Sequence, residues 1–245
     1  MEVTEDRLLG GRIVLRQPAR GYRAGMDAAL LAAACDASDG QAVLEAGCGA
    51  GAALLAAAAR RPGARFLGLE SDPEAVALAQ QNIVLNALGD RVEARRADVG
   101  QPFSKLGLPP FDMAMANPPF FDDEGALRAP DPAKRAAWIA VEGLAAWCAF
   151  LLKAVRERGA IVMIHRADRL ADIMAHLAPK AGSFTVRPVH PFADVPAKRV
   201  IVRAVKTGKA PLRILPPLVL HDRAGGKHTL QAEAILRGEA ALGWD

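Results

Sequence analysis

From residue 42 onward the chain alternates short apolar runs with helix-patterned segments, and this alternation restricts its fold more than any other feature. Ala42–Ala46, Arg65–Glu70, Arg91–Arg95, Asp112–Ala116, Ala160–His165, Phe184–Val189 and Arg199–Val205 read as strands. Ala52–Arg60, Pro73–Asn86, Ala133–Arg156, Arg169–Leu177 and Thr229–Arg237 read as helices. Strands joined through helices run parallel and are covered on both faces. The last two strands are joined by a loop around Pro191–Ala197 with no helix, which predicts an antiparallel final strand. Upstream, residues 11–17 read as one arm of a hairpin, and Met26–Cys35 as an apolar helix with Asp27 as its candidate cap. Residues 211–220 are proline-punctuated and extended. The expectation is a doubly wound α/β sheet of seven strands, mostly parallel, in a single domain over residues 1–245.

Composition removes several classes. Hydrophobic residues make up 51% and charged residues 24% of the 245, an ordinary globular balance. The longest apolar run, Ala136–Leu152, is broken by Glu142 and Gly143 and is too short for a membrane span. The acidic start Met1–Asp6 has no signal-peptide core. Cys35, Cys48 and Cys148 lie far apart, without CxxC or zinc spacing. His165, His190, His221 and His228 show no metal or triad spacing either. A cytoplasmic protein with reduced thiols, no membrane contact and no metal is expected. The net charge of +4 permits contact with a polyanion.

The first strand ends in Glu45-Ala46-Gly47-Cys48-Gly49-Ala50-Gly51. Closely spaced glycines after a strand let the backbone pass beside a bound ligand where a Cβ would clash. Glu70 ends the next strand, where a carboxylate accepts ribose hydroxyls, and Asp98 follows the third, placed for an adenine amino group. The same glycines and Glu70 also satisfy a nicotinamide dinucleotide fingerprint, which leaves an oxidoreductase open. Glu45 argues against it: a carboxylate before the first glycine suits a cofactor with a positively charged amino-acid tail and repels a pyrophosphate.

About seventy residues later, Asn117-Pro118-Pro119-Phe120 closes the strand Asp112–Ala116, at the strand end where ligands of open α/β sheets bind. The Asn117 side-chain oxygen and the Pro118 carbonyl are two acceptors for the protons of a planar amine. Holding both protons localises the nitrogen lone pair and aims it, so orientation and electrostatics act together. Consecutive prolines restrict the backbone and keep that carbonyl outward. Phe120 supplies a stacking face, an interaction of about 1–3 kcal/mol per base. The plain alternative is a proline-rich turn with Phe120 and Phe121 in the core.

These motifs, with Gly21-Tyr22-Arg23-Ala24-Gly25-Met26-Asp27 and the terminal Glu233-Ala234-Ile235-Leu236-Arg237-Gly238, resemble the class I S-adenosylmethionine-dependent methyltransferases of the NPPF/Y branch. Within that branch the chain looks most like the bacterial tRNA(1)(Val) adenine-N(6) methyltransferase group. The resemblance implies a Rossmann-like sheet, S-adenosylmethionine as cofactor with S-adenosylhomocysteine as product, and adenine N(6) in tRNA as target. It places residues 1–36 over the cofactor site as a strand and helix extension, with Gly25 and Asp27 near the methionine end. Asn117, Pro118 and Phe120 become the catalytic set. Gly25, Asp27, Glu45, Gly47, Gly49, Gly51, Glu70, Asp98 and Asn117 become the cofactor set. Protein-glutamine and guanine-N(2) rRNA methylation are the alternatives; the chain has little room for the N-terminal domains those groups resemble. The acidic stretch Asp122-Asp123-Glu124 departs from a loop meant to approach RNA. Arg12, Arg16, Arg20 and Arg23, together with Arg187, Lys198, Arg199, Arg203, Lys206 and Lys209, would form a phosphate-tracking rim if all flanked the NPPF mouth. Arg23, Lys198 and Arg199 are the RNA-contact candidates.

Overall fold

A computed structural model of the chain describes residues 2–19, 24–119 and 143–245. An antiparallel hairpin opens it: β1 (Val3–Leu8) and β2 (Ile13–Pro18), joined by a 3-10 turn over Leu9–Gly11. Then follow α1 (Met26–Ala34), β3 (Ala42–Ala46), α2 (Ala52–Arg60), β4 (Arg65–Glu70), α3 (Pro73–Leu85), β5 (Val92–Arg96) and β6 (Phe111–Ala116). After residue 143 come α4 (Leu144–Ala154), β7 (Val155–Arg166), α5 (Leu170–Leu177), β8 (Ala181–His190), β9 (Arg199–Lys206), the two-residue strands β10 (Arg213–Ile214) and β11 (Leu218–Val219), and α6 (Leu230–Arg237).

The main sheet runs β10-β8-β9-β7-β6-β3-β4-β5, with β11 also on β8. Its seven long strands all run parallel except β9, which is antiparallel to both β7 and β8. The expected seven-stranded sheet with an antiparallel last strand is therefore present, and the proline-rich segment 211–220 adds two short strands at its edge. Strand alternation sorts side chains into two cores. Val43, Met113, Met115, Val162 and Ile164 face α1, α2 and the hairpin residues Ile13 and Leu15. Leu44, Ala46, Ala114, Ala116, Ile161 and Met163 face α4 and α5.

Local chemistry sets the element ends. Asp72 caps α3 by accepting from the Glu74 amide at 2.9 Å, with Pro73 in the first turn where its missing N–H leaves nothing unpaired. Thr229 caps α6 through the Ala232 amide, and Gly238 ends it in the left-handed region. Two expectations are corrected. Asp27 makes no cap: Gly25 occupies the cap position of α1 without a side-chain bond, and Asp27 reaches across to Arg199. The helix expected through Arg156 ends at Ala154, because β7 begins at Val155 and Arg156 turns to Asp112 at 2.6 Å. Asp112 also accepts from the Ala42 amide, tying the starts of β3, β6 and β7 together. The expected helical stretch 133–142 lies outside the described residues.

The hairpin is held by two asparagines that the sequence reading did not single out. Asn82 of α3 and Asn86, which caps the end of that helix one turn later, bond residues of β2 as a neighbouring strand would. Asn86 accepts from the Val14 amide and donates to the Val14 carbonyl, at 2.9 and 2.7 Å. Asn82 does the same with Arg16, at 2.9 and 2.8 Å, and donates again to the Ala50 carbonyl at 2.9 Å. With its side chain 0% exposed, Asn82 joins the hairpin to the glycine turn.

Candidate functional site

Ala46 of β3 is in register with Ala116 of β6, so Gly47 and Asn117 leave adjacent parallel strands at the same level of the carboxyl rim. The glycine turn and the NPP segment are thus neighbours across one strand spacing, about 5 Å. Asn117 and Pro119 are half-buried and Pro118 is buried. Phe120 lies outside the described residues.

Each glycine of the turn has its own constraint. Gly47, Gly49 and Gly51 all have positive φ, at 70°, 54° and 91°. A Cβ on Gly47 would lie 2.5 Å from the Trp147 ring of α4, whereas one on Gly49 would meet nothing within 4 Å. The surface beside Gly49 is open. Gly51 starts α2 and packs at contact distance on Ala79 of α3. Gly68, in β4, belongs to this set although it was not foreseen. A Cβ there would lie 2.7 Å from the Cys48 sulfur, so its bare backbone lets the turn settle on the sheet.

Two carboxylates bracket the turn in opposite environments. Glu70 is half-exposed and well satisfied. Its Oε2 accepts from the Gly49 amide at 3.0 Å, and its Oε1 accepts from the Ser71 and Asp72 amides and the Ser71 hydroxyl. Glu45 is 3% exposed. The Leu54 amide, in the first turn of α2, bonds its carboxylate, while Oε2 has no hydrogen-bond partner among the described residues. Burial, and secondarily the nearby Glu70 charge, push the Glu45 carboxyl well above the usual carboxylate range. A buried acid with one orphaned oxygen is a ready acceptor for a cationic or strongly donating group. Cys48 is buried and its thiol is pushed up by the same desolvation, which leaves it an inert filler.

Asp98 is exposed after β5, with Oδ1 accepting from the Gly100 amide. Gly25 is exposed at the start of α1, and Asp27 accepts from Arg199 Nε at 3.0 Å. Arg199 pairs with Arg166 in the β7–β9 register, which puts it and the exposed Lys198 on the carboxyl rim. Arg20 and Arg23 lie outside the described residues.

Among the described residues the larger basic rim does not form. Because β9 is antiparallel, Lys206 falls opposite Ala181 at the start of β8, at the far edge of the sheet, and Lys209 follows it. Arg203 sits mid-sheet beside Val162 and pairs with Asp36. Arg187 donates to the carbonyls of Pro216 and Gly243, and Arg12 to that of Gly238, so both anchor the C-terminal segment. Arg60 joins Arg12 there, and burial plus repulsion from Arg12 and Arg61 lower its pKa to about 10.

Among the described residues no three-residue cluster suits a metal, and no helix is long and apolar enough to cross a membrane.

The family described as the methyltransferase small domain matches residues 23–130. A tRNA1(Val) (adenine(37)-N6)-methyltransferase of Porphyromonas gingivalis is 31% identical over 177 residues, covering 68% of each chain. One from a Flavobacteriaceae bacterium is 31% identical over 112 residues, so that match spans 45% of this chain and about half, 47%, of the relative. The crystal structure of a predicted O-methyltransferase, Atu636 from Agrobacterium tumefaciens, has a TM-score of 0.74 at 26% identity, covering 88% of this chain and 97% of that one. The rim-sharing strands, the glycine turn and the breadth of these matches lead to one conclusion: the chain belongs to the methyltransferase small-domain family, within the S-adenosylmethionine-dependent methyltransferases.

Proposed function

We propose that the protein methylates an exocyclic ring amine of RNA, adenine N(6) in tRNA, the target for which the two relatives above are named. The observation that carries this reading is the register of Ala46 with Ala116, which sets the glycine turn beside Asn117 and Pro118. In this reading the whole chain acts as one unit, with residues 1–36 covering the cofactor.

The residues present fit S-adenosylmethionine, which supplies an electrophilic methyl group when bound. Glu45 offers its orphaned buried oxygen to the cationic amino-acid tail. Gly49 leaves its side of the turn open for close approach. Glu70 Oε2, with a single donor, keeps a lone pair for a ribose hydroxyl. Accepting a second one at Oε1 displaces the Ser71 hydroxyl, the longest of its contacts at 3.2 Å. Asp98 Oδ2 remains for the adenine amino group, while Gly25 and Asp27 border the tail.

On the substrate side, Asn117 Oδ1 and the Pro118 carbonyl accept the two amine protons and localise the lone pair for in-line attack. Phe120 stacks on the base. Because the nitrogen loses its proton only after the bond forms, no strong base is required. Lys198 and Arg199 contact phosphates on the substrate's approach.

The test is methyl transfer from labelled cofactor to total tRNA lacking this modification, to rRNA and to release factor, followed by digestion. Label in N(6)-methyladenosine from tRNA is expected. Label in N(2)-methylguanosine or in glutamine would replace this target with one of the other planar amines.

A further inference from the structure

We infer that the loops after β8 and β11 form a stacking platform for an unpaired base flanking the methylated nucleotide; this rests on the RNA reading above. His190 ends β8, and the chain then carries Phe192 and Asp194 before turning into β9. After β11 the chain returns along the same edge, with the His221 amide bonded to the Pro191 carbonyl at 2.9 Å. This places His221 and Arg223 beside Phe192, with His228 on His221. The Phe192 and His221 ring centroids are 5.5 Å apart, and His221 and His228 stack at 5.1 Å with an interplanar angle of 27°. The His221 ring is fixed by a 2.7 Å bond between Nδ1 and the Lys227 carbonyl.

Arg223 completes the arrangement. Its guanidinium lies over the Phe192 ring, 4.7 Å from the centroid, and Asp194 holds it from the side at 3.0 Å. The Arg223 side chain is nonetheless 61% exposed. A planar cation backed by an aromatic ring and oriented by a carboxylate leaves most of its surface to solvent. Nucleic-acid bases without a pairing partner stack on guanidinium planes of this kind. The same arrangement is a poor site for a hydrophobic segment, because the outermost plane is charged.

Position on the sheet selects a nucleic acid over other flat ligands. β8 lies three strand spacings from β6, about 14 Å across the sheet, and both strands end at the same carboxyl rim. Between them along the rim stand Arg166 at the end of β7, ion-paired with Asp168, and at the start of β9 the exposed Lys198 and, held by Asp27, Arg199. Cations spaced between a methyl-acceptor clamp and a stacking plane match a strand of phosphates with one base at each end. Exposed Lys227 adds a further cation beside the histidines. The target base and a base a few nucleotides away would thus be held at once, which measures the strand and selects an unpaired context.

The test measures RNA KM, kcat and cofactor affinity for the wild-type full-length chain, Arg223→Ala and Arg223→Lys, using tRNA and a single-stranded oligonucleotide of its target loop. Arg223→Ala raises the RNA KM about tenfold, as expected for loss of one stacked base, with kcat and cofactor affinity within about twofold. Arg223→Lys keeps the charge but not the plane and recovers less than half of the loss. Wild-type methylation of RNA with an unchanged KM in Arg223→Ala would overturn the platform while leaving the RNA reading intact. Full recovery in Arg223→Lys would overturn stacking in favour of simple charge. A wild-type chain that methylates no RNA overturns both.

Discussion

Glu45→Gln is the substitution whose effects should point in opposite directions. In the folded chain the Glu45 carboxyl is buried and raised well above the usual 4.5, first by desolvation and then by Glu70. The unfolded chain ionises this group freely, so between 4.5 and the folded value it carries fewer protons than the folded chain. Stability contributed by Glu45 is therefore fully present below about pH 4.5 and declines as pH rises through that window. At pH 7 the window is at most about 2.5 pH units wide, so at about 1.4 kcal/mol per unit the penalty stays below roughly 4 kcal/mol. Glutamine keeps the shape and removes the titration. We expect the cofactor-free variant to gain about 1–3 kcal/mol at pH 7, a Tm rise of roughly 2–10 °C for a chain of this size. The gain should shrink as pH approaches 4.5. Cofactor affinity should move the other way, weakening about 10- to 100-fold with loss of a charge-assisted bond to the cationic tail. Denaturant melts across pH 4.5–8, paired with calorimetric titration of S-adenosylhomocysteine, read both arms. A variant with unchanged stability at pH 7 and unchanged affinity would refute the account of Glu45.

Two further predictions follow from the geometry and one from the NPPF motif. Gly47→Ala should destabilise by about 2–4 kcal/mol, since its Cβ would collide with Trp147; Gly49→Ala should cost only the left-handed penalty of about 1–2 kcal/mol yet abolish cofactor binding. Thermal melts and titration separate the two. Asn82→Leu should weaken cofactor binding as well as stability because it releases Ala50, whereas Asn86→Ala should lower stability with affinity preserved; equal effects on affinity would place the coupling elsewhere. Phe120→Ala should raise the RNA KM about tenfold with cofactor affinity intact, and an unchanged KM would make that ring core.

The parts of this molecule legible in its sequence are those where local chemistry and tertiary demand coincide. β3, α2 and β4 run from Ala42 to Glu70 with the boundaries the residues predict, because a continuous apolar run, a glycine turn and an alanine-rich helix leave few alternatives. β1 was hidden: Val3–Leu8 carries Thr4, Glu5, Asp6 and Arg7 and has no apolar alternation, since no side chain in it is buried. The asparagine ladder was equally silent, because Asn82 acquires its meaning only once β2 lies against α3. The basic residues misled for a related reason. Their clustering along the chain says nothing of which edge of a sheet they reach, and the reversal of β9 sends Lys206 away from the rim that Arg199 occupies. Gly68 could have been found, as a lone glycine inside a strand marks close backbone approach.

The central claim is that Asn117 and the glycine turn serve one reaction from adjacent strands. Turnover and cofactor affinity measured side by side for Asn117→Ala test it most directly. Transfer of label to RNA should fall about 100-fold or more, with S-adenosylhomocysteine affinity within about twofold of wild type. Undiminished transfer, or a loss traced entirely to cofactor affinity, would contradict it.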